Sequence, residues 1–60
     1  MSVPNPIRVL LVDNHPLVLD GLKAILETYD HIDVVGAAPS ARAALDIARN
    51  AEPHVVLMDI

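Results

Sequence analysis

Sixty residues with a formal charge of −4, no cysteine and one aromatic side chain, Tyr29, limit the chain to one small domain, since a chain this short buries only about 60% of its unfolded surface. A hydrophobic share of 53% argues against disorder and for an aliphatic core, and the scattered bases Arg8, Lys23, Arg42 and Arg49 argue against a phosphate-neutralising nucleic-acid surface. No apolar run approaches the roughly 20 residues of a membrane span, and Met1-Ser-Val-Pro lacks the basic start and apolar core of a secretion signal, so a cytoplasmic protein without a membrane partner is expected.

Met1–Pro6, with two prolines, reads as a short disordered lead. Ile7–Asp13 is the first expected strand, apolar except for Arg8 and ending in an acid. Asn14-His15-Pro16 reads as a helix start, with Asn14 or His15 at the cap and Pro16 in the first turn, where its missing N–H costs nothing. Leu17–Thr28 carries that helix, with Val18, Leu22, Ile25 and Leu26 as one apolar stripe. Gly21 inside it marks either close packing or a tolerated glycine.

Asp33–Gly36 reads as a second strand ended by glycine, and Ser40 as the N-cap of a second helix. On that helix Ala41, Ala44, Leu45 and Ala48 form a narrow stripe of small residues, and Glu52-Pro53 stops it. Val55–Met58 is a run of four large apolar residues, too short for a helix and rich in β-branched types, read as a strand covered on both faces. Asp59 closes it, as Asp13 closes the first strand.

The expected class is therefore α/β, with order β-α-β-α-β, parallel strands and helical crossovers. Right-handed crossovers with helices on opposite faces require the chain to step one way from the first strand and then return past it, giving strand order 2-1-3. In such sheets the ligand crevice lies beyond the carboxyl ends of the strands at the switch point. Asp13, Asn14 and Asp59 converge there. Two close carboxylates repel and raise each other's pKa unless a cation relieves them, and Mg²⁺ takes one or two carboxylates with waters and phosphate oxygens. The arrangement favours phosphoryl transfer, with a carboxylate as nucleophile.

Val12-Asp-Asn-His-Pro-Leu-Val18, Asp33-Val-Val-Gly36 and Pro53-His-Val-Val-Leu-Met-Asp-Ile60 occur in the order found in the receiver domains of bacterial two-component response regulators. The chain resembles this family, and more narrowly the NarL/FixJ-type regulators in which a receiver precedes a helix-turn-helix domain. The resemblance implies a partial flavodoxin-like fold over residues 7–60, the N-terminal half of a receiver. It implies Asp59 as phosphoacceptor, Mg²⁺ held by Asp13, Asn14 and Asp59, a sensor histidine kinase as phosphoryl donor, and DNA contact only through a C-terminal domain absent from this chain. No enzyme activity of its own is implied.

Asn14 departs from the family, which usually has aspartate there; an amide oxygen still coordinates, with one negative charge fewer. The lost charge keeps open a phosphorylation-independent pseudo-receiver, an interaction module of the same fold. The apolar edge strand keeps open a non-functional fragment that self-associates through it. A nucleotide- or flavin-binding domain is disfavoured because the first β-to-α turn has no glycine to bare its N–H groups to a phosphate. An aspartyl phosphohydrolase generally needs a second acid just after its nucleophile. His15, His31 and His54 lack ligand spacing and read as structural, His15 as part of the helix-start turn.

Overall fold

The structure, a computed structural model, describes residues 4–59. Ile7–Val12 forms strand β1, Pro16–Leu26 helix α1, Ile32–Ala38 strand β2, Ala41–Ala51 helix α2 and Val55–Met58 strand β3. The strands make one parallel sheet in the order β2-β1-β3, the order that right-handed crossovers require. Of the expected disordered lead, Met1–Val3 lies outside the described residues, as does Ile60. Pro4 and Asn5 are exposed and form a bend.

The central strand supplies most of the core. Val9, Leu10, Leu11 and Val12 are at most 5% exposed, because β1 has a neighbour on each edge and a helix on each face. Leu10 and Val12 cluster with Ala38 and Ala44, with Ala43, Ile47 and Ala48 packed against them. Val9 and Leu11 alternate to the opposite face, where α1 brings the half-buried Leu19, Leu22 and Leu26. Burial of such aliphatic side chains contributes about 1.5–3 kcal/mol each.

Both helical stripes are displaced from those the periodicity suggests. On α1, Leu22 and Leu26 are half-buried as the stripe anticipates, but Val18 and Ile25 stay 43% and 58% exposed and Leu19 joins the sheet side in their place, since the helix rests on β2 and β1 along that side. Open space surrounds Gly21, so no close neighbour requires it. On α2 the sheet side is Ala43, Ala44, Ile47 and Ala48, while Ala41 is exposed and Leu45 is 60% exposed.

Strand β2 continues past Gly36 to Ala38. Val9 pairs with Val34 but Leu10 with Gly36, so one extra residue is bulged out of β2 at this point. A Cβ on Gly36 would stand 2.6 Å from Ile47 Cγ2 and 3.2 Å from Leu10 Cδ1. The glycine therefore does not end the strand; it lets α2 lie close on it.

Helix α2 is tied down at both ends. Ser40 is its N-cap, accepting from the Ala43 N–H at 3.2 Å, which satisfies one of the free donors of the first turn. Glu52 closes the other end in the left-handed conformation, φ 51° and ψ 62°, with its N–H on Ala48 O. Arg8 of β1 donates from Nε to Ala51 O at 3.0 Å and from Nη2 to the same carbonyl, a cation placed at the negative end of the helix dipole. Helix α1 ends at Leu26, short of Thr28, whose hydroxyl donates to Ile25 O instead of continuing the helix.

Strand β3 differs most from its expected setting. It pairs with β1 on one side, but Val55, Val56, Leu57 and Met58 are 40–48% exposed rather than covered on both faces. Among the described residues neither α1 nor α2 is among the elements packed on it. An apolar groove of about 310 Å³ runs beside it, lined by Leu10, Ala44, Leu45, Ala48, Val56 and Met58 among others.

Candidate functional site at the carboxyl ends of the strands

The switch point between β1 and β3 carries a cavity of about 220 Å³ lined by Val12, Asp13, Asn14, Pro39, Ser40, Ala41, Met58 and Asp59. Its geometry follows from the sheet. The Asp13 N–H donates to Ala38 O at 3.1 Å, and the Asp59 N–H to Val12 O at 3.1 Å. These two bonds continue the ladders on either side of β1 by one step and bring both acids to the same edge. All three site residues expected from the sequence, Asp13, Asn14 and Asp59, meet at this cavity; Asn14 and Asp59 are exposed, whereas Asp13 is 2% exposed.

Asp13 is the unusual member. Its Oδ1 accepts the His15 backbone N–H at 2.8 Å and lies 2.7 Å from His15 Nδ1. A carboxylate has no proton to offer, so Nδ1–H is the donor. Its Oδ2 is buried and has no hydrogen-bond partner among the described residues. Leaving a buried oxygen unpaired is unfavourable, and such an atom calls for an explanation.

The two-carboxylate argument anticipates a raised pKa, and Asp13 moves the other way. The His15 ring hydrogen bond holds its carboxyl below the usual carboxylate range; burial opposes this, while the His15 backbone N–H, the His15 charge and, last, the Asp59 carboxyl add to it. Hydrogen bonds to the ionised form outweigh desolvation.

The residue that sequence reasoning passed over is therefore His15, read there as part of the turn. It is the N-cap of α1, with φ −111° and ψ 105° and no side-chain cap bond, so the capping role weighed for Asn14 or His15 falls to the His15 backbone. The usable signal was local: an aspartate accepting from the N–H two residues on is an Asx turn, and the residue before a proline is held extended.

Two carboxylates, one of which keeps an unpaired buried oxygen, and an amide oxygen around a small cavity form an oxygen-rich donor set of the kind hard cations prefer. No group of three or more His, Cys, Asp or Glu that could hold a metal occurs among the described residues.

The response regulator receiver domain family matches residues 9–60. The chain belongs to that family. The receiver is 68% identical over 54 residues to the transcriptional regulatory protein MctR of Rhizobium johnstonii, covering 90% of this chain and 25% of that protein. To the nitrate/nitrite response regulator protein NarL of Escherichia coli it is 32% identical over 60 residues, covering 100% of this chain and 28% of that one. Among solved structures, it is similar to RcsB from Salmonella enterica serovar Typhimurium bound to promoter rprA in the presence of phosphomimetic BeF3-, at TM-score 0.86 and 30% identity over 93% of this chain and 28% of that one. The receiver thus spans about a quarter of the length of the curated relatives it matches. No helix among the described residues is long and apolar enough to cross a membrane.

Proposed function

We propose that this receiver accepts a phosphoryl group on Asp59 from the phosphohistidine of a sensor histidine kinase, and that the longer protein passes this state to a DNA-binding domain that controls transcription in the cytoplasm. The observation that carries the reading is the pairing at one cavity of an exposed carboxylate, Asp59, with a buried one, Asp13, that keeps an unpaired oxygen. In the transfer an Asp59 carboxylate oxygen bonds to phosphorus as the phosphorus–nitrogen bond of the donor breaks, and the proton needed by the leaving imidazole comes from water. Asp59 must be reachable, and its exposure at the end of β3 provides for that.

Asp13, Asn14 and Asp59 would hold Mg²⁺, which when bound neutralises charge on the transferring group. The unpaired Asp13 Oδ2 fits that role, being an oxygen that no protein donor among the described residues satisfies. Asn14 lowers the negative charge of the site by one, so Asn14→Asp tightens Mg²⁺ binding.

The intact mass of the chain after incubation with acetyl phosphate and Mg²⁺ tests the proposal, with Asp59→Asn as control. The expected result is a gain of one phosphoryl mass in the wild type alone. A wild-type chain that keeps its starting mass under conditions that fully modify a competent receiver overturns it.

Self-association through β3 is the second part of the reading, favoured by a four-residue apolar edge strand that is 40–48% exposed. Sedimentation velocity at rising concentration should show dimers or larger species that Leu57→Lys removes. Concentration-independent monomer refutes it.

A further inference from the structure

Asp13 has one oxygen held twice and the other without a hydrogen-bond partner among the described residues. Both bonds to Oδ1 come from His15, the backbone N–H at 2.8 Å and the ring Nδ1 at 2.7 Å, while Oδ2 is buried without a partner among the described residues. A free carboxylate rotates about its last torsion, which is broad and roughly two-fold. Two donors on the same oxygen remove that freedom, and they fix which oxygen is left over. His15 is itself held: Pro16 follows it and keeps its backbone extended, and its N–H is anchored in the turn. The ring is exposed, at 66% of its side-chain surface against 2% for Asp13, so it is not packed as a core residue.

We infer that His15 is a positioning residue of the cation site: its Nδ1–H and backbone N–H clamp Asp13 Oδ1, so that Asp13 Oδ2 is presented as a pre-oriented ligand for a hard divalent cation. The inference rests on the proposed reading of the cavity as a cation site. Hydrogen bonds to ligating side chains from residues outside the ligand set commonly change metal affinity by about 10–100-fold. Here the backbone donor survives any substitution and only the ring bond is removed, which puts the effect at the lower end.

Mn²⁺ alone, followed by its electron paramagnetic resonance signal and displaced with Mg²⁺, is the probe, and the 60-residue chain is the sample. His15→Ala should weaken Mn²⁺ binding by about 10-fold when both chains are compared folded, well below their thermal midpoints, whatever stability the lost ring bond takes with it. His15→Asn, whose side-chain amide N–H stands close to where Nδ1–H did, should recover most of the affinity. A purely structural role for the turn would move the thermal midpoint and leave the affinity of the folded protein alone.

His15→Ala binding Mn²⁺ as tightly as the wild type, or more tightly, overturns the inference, and so does His15→Asn binding as weakly as His15→Ala. If His15→Ala fails to fold, the comparison of His15→Asn with His15→Leu decides in the same way. A wild-type chain that binds no Mn²⁺ overturns the cation reading itself, and the inference with it.

Discussion

The close seat of α2 on the sheet depends on Gly36, and Gly36→Ala tests how much. A Cβ there would lie 2.6 Å from Ile47 Cγ2 and 3.2 Å from Leu10 Cδ1, against the 3.5–4.0 Å of a favourable carbon contact. Leu10 is 1% exposed and has little room to yield. Ile47 is β-branched on a helix, where one χ1 rotamer dominates, so its methyl cannot swing aside and α2 must withdraw by about 1 Å. Overpacking of this kind costs about 1–3 kcal/mol. Alanine offsets part of it, about 0.4–1 kcal/mol, by restricting the unfolded chain. The expected net loss is therefore about 1–2 kcal/mol, or a fall in Tm of about 4–8 °C per kcal/mol for a domain of this size. Urea unfolding followed by circular dichroism measures it. Ile47→Leu removes the offending Cγ2 at nearly constant volume, so the double variant should be more stable than the sum of the single changes by about 1 kcal/mol. An unchanged or raised midpoint for Gly36→Ala, or strict additivity with Ile47→Leu, would refute the reasoning.

Glu52 sits at φ 51°, a conformation that costs a side-chain-bearing residue about 1–2 kcal/mol. After allowing for the greater freedom of glycine in the unfolded chain, Glu52→Gly should raise stability by about 0.5–1 kcal/mol, seen as a higher Tm; a lower one would show that the Glu52 side chain makes contacts worth more than the strain. The lowered pKa of Asp13 makes its carboxyl a source of acid sensitivity. Over the interval between its folded and unfolded pKa the unfolded chain binds more protons, so the contribution is complete above the unfolded value and is lost as pH falls through the folded one. Asp13→Asn should flatten that acid limb of the stability-against-pH curve in metal-free buffer, and parallel curves would rule the assignment out.

The parts of this molecule that were legible in the sequence are those decided by chain connectivity and local chemistry. Strand order followed from two right-handed crossovers, and the meeting of Asp13 and Asp59 followed from strand order. Ser40 announced itself because a serine before an apolar-periodic segment has one obvious use, and the hydroxyl does accept from the first turn. Periodicity was less informative about burial. It identifies which residues are apolar, but not which neighbours exist, and so it placed Val18, Ile25, Leu45 and all of β3 in a core that does not reach them. Gly36 misled for a related reason: a glycine in a strand signals a stop, a bulge or a close approach alike, and only the position of Ile47 distinguishes them.

His15 was hidden because its ring acts on a neighbour rather than on a ligand, and ligand spacing was the property being sought. On the proposed reading, its effect would offset the substitution at Asn14. An aspartate in that position would add charge to attract a cation, but also repulsion that raises the pKa of Asp13; the amide gives up both. With His15 donating twice to Oδ1, Asp13 is held in its ionised form by protein donors and needs no cation to remain so. A metal ligand that is already deprotonated releases no proton on binding. On the proposed reading of the cavity, the charge lost at Asn14 would weaken the pull on an arriving ion, while the clamp at His15 would remove the cost of orienting Asp13, and the two changes would act on different terms of the same affinity.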